Sequence, residues 1–495
     1  MLTTEELPLK RLLSIASLIV ACGKNGKNVP RAPDVPPAPG VSGPAWLGFG
    51  NGAQHVANSA IAAQDFARVR WSAPVDLDPQ YTDDGELLVH YASPAITSDN
   101  TVVFPVKQGA EGQFRIEARS GTNGGLLWAA SSTYVEPPHD WLPPYSVTIA
   151  ASNKLYALDA GGLLDVWDGV DTAQPTRLSY RFYGSANDPS VIADTPVTVD
   201  GAGNAYFGFL LSGASTLPGG GIARVSAAGA GTWVSASDIS NDATITQAAM
   251  NSAPALSPDG STLYVAVDSI DHPNGYLVAL DSATLAVKAR VLLVDPVTGD
   301  PATVDDNATS SPTIGPDGDV YFGVVESTPG AHGGRGWLLH FSPDLSTSFT
   351  PGGFGWDDTA SIVPASMVPS YAGPSKYLVM TKYNDYAGGL NRVAVLDPHD
   401  SQADDISAAR VMKEVLVTEG PQEFSINTAA VDPATKSILV GNEDGNLYRW
   451  DLTSNTLTQR LSLTSGVGEA YTPTVVGADG AAYAISNAVL FSIGN

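Results

Sequence analysis

The side chains able to do chemistry in this 495-residue chain are few and scattered. There is one cysteine, Cys22, so no intramolecular disulfide, cysteine-based zinc site or CxxC redox pair can form. Seven histidines are spread along the sequence without metal-ligand spacing. No G-x-S-x-G elbow, H-E-x-x-H helix, P-loop or Cys-x-x-Cys-His haem site occurs, and no catalytic residue can be nominated. His340 sits in Leu338-Leu339-His340-Phe341, where alternation puts it on a strand and favours packing over catalysis. Asp305-Asp306-Asn307 and Trp356-Asp357-Asp358 are oxygen-rich, but neither has calcium-loop spacing, so solvated turns are expected. The most loaded stretch is Glu136-Pro137-Pro138-His139-Asp140-Trp141-Leu142-Pro143-Pro144-Tyr145. Rings beside carboxylates suit a ligand or a protein loop. They equally suit a Pro-stiffened loop whose Trp141 plugs a channel.

Cys22 has a context of its own. Lys10-Arg11 precede an apolar run, Leu12 to Ala21, too short to span a bilayer as a helix. It ends Ile19-Val20-Ala21-Cys22, which resembles the bacterial lipobox. The resemblance implies a lipoprotein signal peptide over 1–21, cleavage before Cys22 and lipidation of its thiol. Glu5 and Glu6 depart from the usual basic start. The alternative is a short buried helix with a core cysteine. Over 22–45, Pro30, Pro33, Pro36, Pro37, Pro39 and Pro44 read as an extended tether. Gly23 stands where some inner-membrane lipoproteins carry Asp, which favours an outer-membrane anchor in the cell envelope.

Composition narrows the partners. Against 51 acids there are 25 bases, for a net charge of −26. Such a chain is a poor binder of nucleic acid or of an anionic membrane surface. Charged residues are 15%, below the usual ~25%. With 50 Gly and 36 Pro, the sequence reads as globular and β-rich rather than disordered or coiled-coil.

An internal repeat organises the rest. Ser252-Ala253-Pro254-Ala255-Leu256-Ser257-Pro258-Asp259-Gly260 returns as Ser310-Ser311-Pro312-Thr313-Ile314-Gly315-Pro316-Asp317-Gly318. Pro196, Pro254 and Pro312 are 58 residues apart. Weaker copies start near Ala92, Tyr145, Pro364, Asn427 and Tyr471. Each holds short β-branched or aromatic runs split by Asp-Gly turns. The expected fold is an all-β β-propeller of eight four-stranded blades over 46–495. Seven is the alternative, because the unit near Pro364 is degenerate. The last unit is short of strands, so the segment around Trp71 is expected to close the ring as its outer strand.

Ala118, Gly124 and Trp128 share their spacing with Ala223, Gly229 and Trp233. This resembles the docking motif of the PQQ-like, quinoprotein alcohol dehydrogenase-type propeller repeat, A-x-D-x-x-T-G-x-x-x-W. Its tryptophan packs on the neighbouring blade. Ala289 and Gln459 replace that tryptophan in two later units. The resemblance implies the fold, and it leaves function open. Pyrroloquinoline quinone is a tricarboxylate held with Ca²⁺ and bases, and the ligand set of such dehydrogenases cannot be placed here. In architecture and anchoring the protein looks similar to the propeller lipoprotein of the outer-membrane β-barrel assembly machine. A monomeric, non-enzymatic scaffold is expected, anchored by lipid and bound to an envelope protein. Its ligand or partner face would include His90, Tyr91, His139, Asp140, Trp141, Tyr145 and Tyr471. The alternative is a quinoprotein-like oxidoreductase using PQQ and Ca²⁺, or a sugar-active enzyme.

Overall fold

The computed structural model describes residues 36–495 except 39, 88, 111, 140–144, 185, 270–271, 305–309, 427 and 470–471. Cys22 and residues 1–21, where a signal peptide is expected, lie outside the described residues. So do Asp140, Trp141, Tyr471 and the 305–307 acidic loop.

Eight antiparallel sheets follow one another along the chain, and the fold is an eight-bladed propeller. The blades span 95–131, 147–181, 191–235, 247–292, 313–341, 361–419, 430–462 and 474–494. Central strands are apolar without alternation, as in Val320–Val324, because neighbouring blades cover both of their faces. Outer strands alternate, as in Thr456–Ser462, because one edge meets water. Arg68–Pro74 pairs with Val489–Gly494 and completes the eighth blade, so the ring closes as expected.

One face, here called lower, carries the turns that leave each inner strand. In the Asp-Gly turns the Asp carboxylate accepts the N–H two residues on. Asp259 takes Ser261, Asp317 takes Asp319 and Asp479 takes Ala481. Gly260 and Gly480 supply the positive φ, +71° and +83°.

The docking motif works through these lower turns. Ala118 opposes Trp128, and Ala223 opposes Trp233, in the same register. Trp128 Nε1 donates to Val170 O of the next blade at 2.7 Å. Trp71 Nε1 donates to Gly121 O of the first blade at 2.8 Å. The motif glycine receives the ring of the preceding blade. A Cβ on Gly124 would sit 2.8 Å from Trp71, and one on Gly229 would sit 2.2 Å from Tyr180. Leu285 and Asn455 hold the equivalent left-handed position, with φ of 60° and 53°.

Hydroxyls stitch the inner strands around the axis. Thr148 donates to Val197 O, Thr198 to Pro254 O, Thr313 to Ala360 O and Ser361 to Ala429 O. Below them, the segment 46–57 coils across the lower end of the axis. Trp46, Leu47, Ala53, Gln54, Val56 and Ala57 carbonyls accept from Ile96, Ile149, Leu256, Ile314, Ile362 and Val431. Left-handed residues at Gly48, Gly50, Asn51, His55 and Ala57 give it this tight curvature. Described residues of the proline-rich stretch lie along the first blade, with Gly43 N–H on Ser98 O and Asn123 Nδ2 on Pro36 O.

The irregular blade is the fifth. The sixth, whose sequence is degenerate, has four strands, whereas the fifth has three and completes its edge with isolated bridges. The sixth blade compensates with a long hairpin, 398–412, between Arg392–Ala403 and Arg410–Glu419. Met412 N–H donates to Pro351 O, and Val411 is buried in the fifth blade's core. A covered edge offers no template for another chain. Among the described residues no helix is long and apolar enough to cross a membrane.

Candidate functional site

The upper face carries the links between blades, and its charged side chains gather there because the links emerge beside the axis. Near the first blade, Lys107 Nζ lies 3.3 Å from Asp76 Oδ2 and donates to Asp78 O at 3.0 Å. Both charges are buried. Burial raises the Asp76 pKa, against the pull of Lys107. Tyr91 OH donates to Asp76 Oδ2 at 3.1 Å.

Among the described residues expected to face a partner, His90, Tyr91 and Tyr145 are interior and His139 is exposed. His90 is 1% exposed; burial first, and the nearby His139 second, hold its pKa down to about 3. Tyr145 OH donates to Leu158 O at 2.9 Å, and its ring stacks on Tyr134 at 4.4 Å. Burial pushes both of these tyrosines far above the usual phenol range. His139 Nδ1 turns back to Pro137 O. His90, Tyr91, Lys107, Glu136 and Tyr145 surround a cavity of about 20 Å³. That is room for about one water.

The larger cluster sits over blades six to eight. Lys382 Nζ lies 2.6 Å from Asp357 Oδ2 and 2.7 Å from Glu423 Oε1. Asp357 and Asp358 are 3% and 1% exposed, so the expected solvated turn is instead a buried acidic pair. Thr381 and the Lys382 N–H satisfy Asp358. Its pKa is pushed up to about 7, by burial first and by Asp357 second. Glu443 follows at about 7, raised by burial and then by Glu423. Glu469 is raised to about 8 by burial, although Asn487 N–H donates to it at 2.7 Å. Glu86 adds to the field at Glu443. His340 is packed, as expected: it stacks on Tyr321 at 4.5 Å and holds Asp319 at 2.9 Å.

Glu423 and Glu469 lie in links between blades. Lys382 ends the central strand Tyr377–Lys382 and Glu443 follows the central strand Ser437–Asn442, so both adjoin sequence that reads as core. The only available signal was a charge closing an apolar run, Tyr377–Lys382.

No family model matches the sequence, and no curated protein matches it. Solved structures do. The quinohemoprotein alcohol dehydrogenase ADHIIG of Pseudomonas putida HK5 is 13% identical, with 91% of this chain and 76% of that one covered at a TM-score of 0.50. BamB of Moraxella catarrhalis is 14% identical, with 81% and 93% covered at 0.45. The designed protein Ika8 is 11% identical, with 85% and 99% covered at 0.47. At these identities the likeness is one of fold. The fold they share with this chain is that of an eight-bladed propeller.

A tricarboxylate quinone requires cations ready to receive it. On the described upper face Lys107 is held by Asp76, and Lys382 by Asp357 and Glu423. Asp358, Glu443, Glu469 and Glu86 place further carboxyl groups, and no cation, on this face. This donor set does not fit that cofactor.

Proposed function

We propose that this protein is a non-enzymatic scaffold of the bacterial cell envelope, tethered by a lipid on Cys22, whose acidic upper face binds a basic segment of a protein partner. The observation that carries the reading is the arc Glu86–Glu443–Glu423 around a lysine already matched to carboxylates. A cationic side chain entering there would meet negative charge at partly exposed positions, with complementarity that sets specificity and on-rate. The lipobox-like stretch supports the anchor, and Gly23 supports the outer membrane.

Crosslinking in intact envelopes, followed by affinity recovery, tests this reading. The wild-type chain should capture a discrete partner, and Glu86→Gln/Glu423→Gln/Glu443→Gln should recover at least about tenfold less of it. Equal recovery by the triple variant overturns the upper-face assignment. Robust dye reduction with alcohols or sugars, after loading with the quinone and Ca²⁺, overturns the scaffold reading itself.

A further inference from the structure

On the lower face, blades five and six bring together Asp317, Asp319 and His399 from two separate elements. Asp317 and Asp319 flank Gly318 in the turn that leaves the inner strand Thr313–Ile314. His399 lies at the base of the 398–412 hairpin. One donor atom from each of the three residues lies within 4.8 Å of the others. We propose that these three side chains bind a divalent zinc-class cation that clips the hairpin of the sixth blade onto the incomplete fifth.

The geometry is close to what such an ion requires. With zinc–ligand bonds of about 2.0–2.1 Å, tetrahedral ligand atoms stand roughly 3.4 Å apart. His399 Nε2 and Asp317 Oδ2 are 3.4 Å apart. A donor oxygen of Asp319 lies within 4.8 Å of one donor atom on each of the other two residues, so reaching that spacing takes a closure of no more than about 1.4 Å. An imidazole nitrogen beside carboxylate oxygens suits zinc better than calcium, which takes six to eight oxygens.

The surrounding hydrogen bonds orient the ligands. Tyr377 OH donates to both oxygens of Asp317, at 2.8 and 3.0 Å, and shares a 2.7 Å bond with Tyr321 OH. His340 Nε2 donates to Asp319 Oδ2 at 2.9 Å, leaving that carboxylate's other oxygen for an ion. Outer partners of this kind fix ligand direction in metal sites. The far end of the hairpin is already pinned, with His332 Nε2 3.1 Å from Asp404 Oδ2. The ion would secure the near end, where His399 and Asp317 side chains are 39% and 42% exposed and within reach of solvent.

The test is Zn²⁺ titration of the purified, chelator-treated chain by calorimetry, with Co²⁺ as a spectroscopic stand-in. One ion per chain is expected, with a Co²⁺ visible band of low coordination number and slower amide exchange across 398–412. His399→Ala and Asp317→Asn should each weaken Zn²⁺ binding at least about tenfold. His139→Ala, on the opposite face, should leave it unchanged. Both lower-face substitutions are at half-exposed positions, and their circular dichroism should match wild type. Absence of saturable Zn²⁺ binding, or undiminished affinity in both lower-face variants, overturns the assignment.

Discussion

On the lower face a Cβ added at Gly229 would come within 2.2 Å of the Tyr180 ring; on the upper face Lys382 sits 2.6 Å from Asp357. The first contact is decided by shape and backbone conformation, the second by charge removed from water. Both lie where one blade meets another. Shape-held contacts of the lower kind do not titrate near neutrality. The upper contacts do, because burial has moved several carboxylates into that range. The two faces should therefore respond to different perturbations, and mutations can separate them.

The largest effect is expected at the ring closure. Trp71 is 8% exposed and donates to Gly121 O. Trp71→Ala should cost about 3–5 kcal/mol. In denaturant titrations the loss should be the same at pH 6 and pH 8. A loss that depends on pH would show that the closing strand is held by charge rather than packing.

Next comes Lys382→Met, which strands Asp357 and Glu423 around a neutral side chain. Removing one partner of a buried pair costs roughly 3–5 kcal/mol. Protonation of Asp357 offers an escape, so the cost should be smaller at pH 6 than at pH 8. A pH-independent loss would break the contrast between the faces.

Glu469→Gln sharpens it. An acid whose folded pKa lies above its unfolded value holds an extra proton when folded. Its stabilising contribution is present at low pH and falls as pH rises towards the folded pKa. For Glu469 that window runs from about 4.5 to about 8. Asp358 and Glu443 act in the same sense up to about 7. His55 and His90, buried and held at about 4 and about 3, oppose them below 6.5. The carboxylates act alone above 6.5, so wild-type stability should fall from pH 6.5 to 8. Glu469→Gln should flatten that fall by roughly 1.4 kcal/mol per pH unit titrated. An unchanged slope in thermal scans across this range would remove Glu469 from the titrating set.

The lower face was legible in sequence because its docking contacts are set by shape and turn chemistry. Asp-Gly turns, the Ala–Gly–Trp spacing and the closing role of Trp71 are local patterns, and the repeat sets them in register. Pro196, Pro254 and Pro312 mark inner-strand starts at a fixed period because each blade repeats the same turn chemistry. The upper face depends on which links converge on the axis, and link lengths vary. Asp357-Asp358 looked like a turn because nothing nearby in sequence announces Lys382. His90 and Tyr145 looked like a surface because rings beside prolines and carboxylates read alike whether packed or exposed. The bridging by the coil at 46–57 has no side-chain signature, because its backbone carbonyls join the inner strands.

The smallest effect tests how the ring copes where the docking tryptophan is missing. Gln459 occupies that position, opposite Arg449 on the neighbouring strand. Its Oε1 accepts from Phe66 N–H at 2.9 Å, and its Nε2 donates to Asp65 Oδ1 at 2.8 Å. Arg449 Nη2 donates to the Ala63 and Gln64 carbonyls. At Trp71, Trp128 and Tyr180 a ring meets a turn of the next blade. Here the next blade's outer strand arrives from the opposite end of the chain, and the approach segment 63–66 fills the space an indole would need. A side chain that can read backbone polarity serves better there than a flat ring. Gln459→Ala should therefore cost about 1 kcal/mol and speed amide exchange across 65–74 before any other strand. Gln459→Trp, which restores the motif by letter, should destabilise the chain further, because it must displace 63–66 from Arg449. A stabilising Gln459→Trp would mean that the seventh blade docks like the first and that the approach segment is incidental to closure.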